Sequence, residues 1–237
     1  MKYTPVLLLL LLSSCFSLQK NSFGSEEQAD ELANKIMKAT HQDLWEETKV
    51  IQWTFSLGGH SHIWDRERKL EYVKFGDYEV WLNLKTKGGL VKKGGERVEA
   101  DKQKYLDKAW SYWINDSFWL NPIAKFYDEG VTRSLVHVKS DTALMVSYSQ
   151  GGLTPGDSYL WLVDENGLPK AWELWVSIIP IKGFQVSWED WREMDSGVLI
   201  AEKHNSMLVN VNLENVKGAK SVKALFGTKD PFSELLE

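Results

Sequence analysis

The sequence predicts an α+β protein built on a large curved antiparallel sheet, an incomplete barrel with helices covering its concave face. Three observations predict it. From Val50 onward the hydrophobic period is close to two, through about a dozen strand-length runs joined by short Gly, Pro, Asp and Asn turns. No run is followed by a crossover helix, which disfavours a parallel sheet. Several runs are apolar on both faces, such as Tyr159, Trp161 and Val163 against Leu160 and Leu162, so the sheet needs cover on each side. A chain of 237 residues, 43% hydrophobic and 12% aromatic, can bury one such core as a single domain.

The chain opens on an apolar run of eight residues, Pro5 to Leu12, behind Lys2. It is too short to span a bilayer and reads as a signal peptide over residues 1–14. Its end, Leu12-Ser13-Ser14-Cys15, resembles the lipobox of bacterial lipoproteins, which implies that Cys15 is diacylated and becomes the first mature residue. An ordinary signal peptide with an incidental Cys15 is the alternative. Cys15 is the only cysteine, so neither a disulfide nor thiol catalysis is available to the folded domain. The formal charge of −5 argues against nucleic acid as a partner. There is also no basic cluster to hold anionic lipid, so membrane attachment is expected through the N-terminal lipid alone.

Residues 15–24 are expected to form the lipidated cysteine and a flexible tether, and residues 25–237 the half-barrel domain. Ser25 can cap a helix whose first turn holds Glu26 and Glu27 and whose apolar stripe is Ala29, Leu32, Ala33, Ile36 and Met37. Leu44 and Trp45 suit a short second helix. Then Ile51, Trp53, Phe55 and Leu57 alternate with Gln52, Thr54 and Ser56, the pattern of a strand with one buried face. Further strands are expected at 60–66, 70–75, 78–84 and 89–93. Gly58-Gly59, Gly76-Asp77, Gly88-Gly89 and Gly94-Gly95 separate them, which makes a meander of hairpins.

Tyr105, Ala109, Tyr112, Trp113 and Asp116, with Leu106 and Trp110 alongside, recur at three- and four-residue steps and predict a helix that ends at Asn121-Pro122. A second strand series follows at 132–138, 143–148, 158–164, 170–179, 184–191, 197–203 and 207–213.

Chemistry-bearing residues are few. His60 and His62 lie two apart on a strand and share one face, as metal ligands can, but no third ligand is legible on that face. Paired surface or turn histidines are the simpler reading, and no metal or other cofactor is assigned. Arg66 could grip a ligand carboxylate or phosphate, or tie a strand end to a helix through an ion pair. Asn115-Asp116-Ser117 suits helix-end capping. An Asp116 general base would need a partner acid, for which Asp128 is nearest in sequence, and no catalytic residue is assigned. Thr154-Pro155-Gly156-Asp157 has the composition of a turn, and the glycine pairs lack the lysine and hydroxyl of a phosphate loop. Of the twelve tryptophans, Trp53, Trp81 and Trp161 read as core. Trp110, Trp113 and Trp119, with Phe118, Trp64 and Arg66, are candidates to line an apolar cavity.

With lipobox, N-terminal helix, long antiparallel series and mid-chain helix, the layout resembles the periplasmic lipoprotein carriers LolA and LolB. Four runs are also similar to an uncharacterised group of bacterial lipoproteins: Trp64-Asp65-Arg66, the run from Trp113 to Leu120, Asp128-Glu129-Gly130-Val131, and the run from Gly152 to Tyr159. The resemblance implies a half-barrel closed by helices around an apolar cavity and transfers no functional residue. Phe16 after Cys15 resembles outer-membrane-sorted lipoproteins. The expectation is therefore a lipid-anchored envelope protein that binds an apolar or amphiphilic ligand, a lipid or a lipoprotein acyl chain, without turnover. Two alternatives stand beside it: a hydrolase using Asp and His residues in the same cavity, and a structural or partner-binding lipoprotein with a solid interior.

Overall fold

The computed structural model describes residues 22–236, so Cys15 and the lipobox lie outside the described residues. In chain order come β1 (Ser22–Phe23), α1 (Glu26–Ala39), a 3-10 turn (Gln42–Glu47), β2 (Val50–Phe55), β3 (His60–Asp65), β4 (Leu70–Phe75), β5 (Tyr78–Asn83), β6 (Gly89–Lys93) and β7 (Glu96–Arg97). Helix α2 (Lys102–Leu120) and a second 3-10 turn (Ile123–Lys125) follow. Then come β8 (Val131–Val138), β9 (Asp141–Tyr148), β10 (Ser158–Val163), β11 (Pro169–Trp175) and β12 (Phe184–Ser187). The chain closes with β13 (Glu189–Glu193), β14 (Leu199–His204), β15 (Val211–Ala219), α3 (Val222–Phe226) and α4 (Ser233–Leu236).

The architecture is α+β and antiparallel, as the sequence predicts, but the strands divide into two open sheets. A six-stranded sheet runs β1-β8-β9-β10-β11-β12 and a nine-stranded sheet runs β13-β14-β15-β2-β3-β4-β5-β6-β7. The division falls inside the run 184–191, which reads as one strand. Ser187 still pairs with Ala171 of the first sheet, whereas Glu189 already pairs with Lys203 of the second. Buried Trp188 is the corner, with its N–H on the Lys170 carbonyl at 2.7 Å, and Asp190 takes a positive φ just beyond it. A strand that changes sheets through such a bend keeps an alternating sequence, so the corner leaves no mark in the pattern.

Helix α1 begins with a capping box: Ser25 Oγ accepts from the Gln28 N–H at 3.3 Å, and Gln28 Oε1 accepts from the Ser25 N–H at 2.9 Å. It buries Ala29, Ala33 and Ile36 against Leu135, Leu144 and Val146 of the six-stranded sheet. The expected tether is shorter than residues 15–24, because Ser22 and Phe23 pair with Val136 and Leu135 and Phe23 stacks on His137 at 3.6 Å.

Helix α2 bridges both sheets. Its first half sets Leu106 and Ala109 on Val73, Val80, Leu82 and Val91 of the nine-stranded sheet. Its last turn sets Phe118 on Tyr148, Tyr159 and Trp172, and Trp119 on Trp172 and His204. The other face of the nine-stranded sheet is covered by the C-terminal segment, where fully buried Phe232 meets Leu70, Trp81 and Leu90. Arg68 holds that segment through Asp230 at 2.6 and 3.0 Å.

Candidate ligand groove and buried histidine cluster

Four of the six residues expected to line a cavity come together. Trp64 and Arg66 stand at the end of β3, and Trp110 and Trp113 stand one turn apart on α2. With Trp45 from the first 3-10 turn, the rings form a row Trp45, Trp64, Trp113, Trp110 with centroid steps of 6.3, 5.5 and 5.1 Å. Trp64, Trp110 and Trp113 are half-buried, so the row has an open side. Exposed Lys87, in the turn between β5 and β6, places its ammonium 4.4 Å from the Trp110 ring. The indole N–H groups of Trp64 and Trp113 have no hydrogen-bond partner among the described residues.

Arg66 closes the other end of the row. Its guanidinium lies 4.3 Å from the Trp45 ring and 5.6 Å from the Trp64 ring. It also donates to the carbonyls of Trp45 and Thr48 and pairs with Glu46 at 3.1 Å. These three contacts tie the strand end to the 3-10 turn. Phe118 and Trp119 do not join the row. They pack into the core around Trp161, Trp172 and Trp188, so the two ends of α2 do different work. A polar cleft of about 370 Å³ beside β14 and β15 is lined by Asp190, Arg192, Glu202 and Lys203, whose charges are paired with each other.

The histidines sit elsewhere than expected. The alternation of β3 turns His60 and His62 inward, and both are buried rather than at a surface or turn. The third ligand type missing from the strand comes from α2. Asp116 Oδ2 lies 2.8 Å from His60 Nδ1 and 2.9 Å from His62 Nε2. Asp116 therefore does not cap the helix: it is in the helix body, one turn past Tyr112, and Asn115 Nδ2 donates to its other oxygen at 2.8 Å. Asp128 is no partner to it, being paired with Lys125 at 3.0 Å.

A fourth group completes the chain of contacts. Glu71, fully buried on β4, sets Oε1 2.9 Å from His62 Nδ1, and its Oε2 has no hydrogen-bond partner among the described residues. Burial pushes the Glu71 carboxyl up to about 8, against the pull of His62. Burial also opposes charge on His62, but the hydrogen bonds of Asp116 and Glu71 outweigh it and raise its pKa. Asp116 is held below the usual carboxylate range because its bonds to both histidines outweigh its burial. Aromatic rings fix the imidazoles: Trp53, opposite His62 in the register, stacks on it at 4.4 Å, and Tyr112 stacks on His60 at 3.6 Å.

No family model matches the sequence, and no curated protein matches it. Among solved structures, the chain is similar to the crystal structure of a DUF1329 family protein from Desulfovibrio piger ATCC 29098 at 1.75 Å resolution. The TM-score is 0.42 at 11% sequence identity, and the match covers 86% of this chain and 96% of that chain.

Proposed function

We propose that the protein is a lipid-anchored bacterial envelope protein, held at the outer membrane through Cys15, that binds an apolar or amphiphilic ligand without turnover. The observation that carries this reading is the half-open row of Trp64, Trp113 and Trp110, with Lys87 at its free end. Stacked indoles offer an apolar strip along which a chain can lie, and an ammonium at one end suits a polar or anionic head. The ligand strip proposed is this row, and Phe118 and Trp119 turn instead toward Trp172. The anchor reading is supported by the apolar run ending in Cys15. No helix among the described residues is long and apolar enough to cross a membrane. A hydrolase is disfavoured because His60, His62 and Asp116 are buried and bound to one another.

Saturated fatty acids from eight to sixteen carbons, followed by tryptophan fluorescence, test the reading. Affinity is expected to climb with chain length, by up to ~0.8 kcal/mol per buried methylene. Trp110→Ala and Trp113→Ala are expected to flatten the series. A flat series in the unaltered protein contradicts the groove, and recovery of cleaved ester from an ester analogue moves the case to the hydrolase.

A further inference from the structure

We propose that His60 Nδ1, His62 Nε2 and Asp116 Oδ2 form a site for a divalent transition metal of the zinc class. The three ligand atoms lie within 4.8 Å of one another, on two elements whose packing is fixed by the surrounding core. Two imidazoles and one carboxylate are a donor set that zinc accepts, with a fourth position left for water or a further ligand. Tetrahedral bonds of ~2.0–2.1 Å would separate ligand atoms by roughly 3.3 Å. The two contacts to Asp116, 2.8 and 2.9 Å, open by a few tenths of an ångström to reach it, and the two imidazole nitrogens, within 4.8 Å of each other, settle to the same spacing.

The groups around these three atoms are those a metal site needs. Glu71 Oε1 lies 2.9 Å from His62 Nδ1, placed to accept its proton in a metal-bound state and so to aim the Nε2 lone pair at the centre, the carboxylate support that metal-bound histidines commonly have. Asn115 engages only Oδ1 of Asp116, leaving Oδ2 for the ion. Trp53 and Tyr112 hold the ring planes. Behind His60 the β2–β3 turn is tight: a Cβ at Gly58 would lie 2.6 Å from His60 Nε2.

Charge points the same way. Two carboxyl groups, Asp116 and Glu71, share this buried place with the two imidazoles, and a dication is complementary to them. The enclosure favours zinc over an oxygen-activating iron, which keeps several positions open.

The test uses the full chain in detergent, stripped with a chelator and titrated with zinc against a chromophoric competitor. Metal content is read by mass spectrometry and cobalt(II) absorption reports geometry. One equivalent of zinc and a tetrahedral cobalt spectrum are expected in the unaltered protein. Both should vanish in Asp116→Asn and His60→Gln, and Glu71→Gln should weaken binding 10–100-fold. Near-UV circular dichroism checks the fold, and His60→Gln, at the least enclosed of the three ligands, decides if Asp116→Asn does not fold. Substoichiometric zinc, or equal affinity in the unaltered protein and these variants, overturns the proposal. The tryptophan row does not enter this test, so either reading can fail alone.

Discussion

Tyr112 and Trp113 are neighbours on α2 yet serve different sites, Tyr112 stacking on His60 and Trp113 joining Trp64 and Trp110. Their burial sets what each substitution should do. Trp53, fully buried, is expected to lose ~3–5 kcal/mol on truncation to alanine. Half-exposed Trp113 should lose less stability and more ligand affinity, whereas Trp119→Ala should leave ligand affinity unchanged, because its ring packs on Trp172 and His204. Urea unfolding set beside fatty-acid titration separates the three, and equal losses of affinity in Trp113→Ala and Trp119→Ala would place the site elsewhere. His204 gives a pH signature. Burial pushes its pKa down to about 4, with Nδ1 on the Ser187 carbonyl at 3.3 Å and Nε2 unpartnered among the described residues. An unfolded histidine takes its proton near pH 6.5. Below that value the unfolded state binds more protons, so this contribution is complete above about pH 6.5 and falls as pH drops toward 4. Roughly 3 kcal/mol should be lost by pH 4, and unfolding of a His204→Phe variant should lack that part of the slope.

At the scale of elements, the C-terminal segment acts as a plug. Phe232 fills the outer face of the nine-stranded sheet, and Trp81 Nε1 donates to the Pro231 carbonyl at 2.9 Å. Phe232→Ala is expected to cost ~3–5 kcal/mol in chemical unfolding, while Ser25→Ala, which removes the cap of α1, should cost about 1 kcal/mol. A loss below about 1 kcal/mol for Phe232→Ala would mean that the segment is not part of the cooperative unit. This segment was not legible in the sequence, since residues 214–237 hold no sustained apolar period. Most strands were, because alternation with a Gly or Asp turn reports a half-buried hairpin directly. The corner at Trp188 was not, because alternation continues through it. The histidine cluster was half legible. The spacing of His60 and His62 put both on one face, but their partner lies 54 residues away from His62. The available signal was Asp116 itself: a carboxylate in phase with Ala109, Tyr112 and Trp113 on an apolar stripe requires a buried partner.

For the molecule as a whole, the two sheets and the helix that bridges them divide the labour. The core of the six-stranded sheet supplies rigidity, the nine-stranded sheet carries both candidate sites, and the chain before Ser22 would hold the body at the membrane. Fatty-acid labelling in cells is expected to mark the unaltered chain and to disappear in Cys15→Ala. Equal labelling of the two would remove the anchor. The central claim is that the tryptophan row carries an amphiphile, and mass spectrometry of the intact protein, released from mild detergent, tests it most directly. A lipid-sized adduct on the unaltered protein that is absent from Trp110→Ala and Trp113→Ala is the predicted result. Bare protein, or an adduct equally present in both variants, would contradict it.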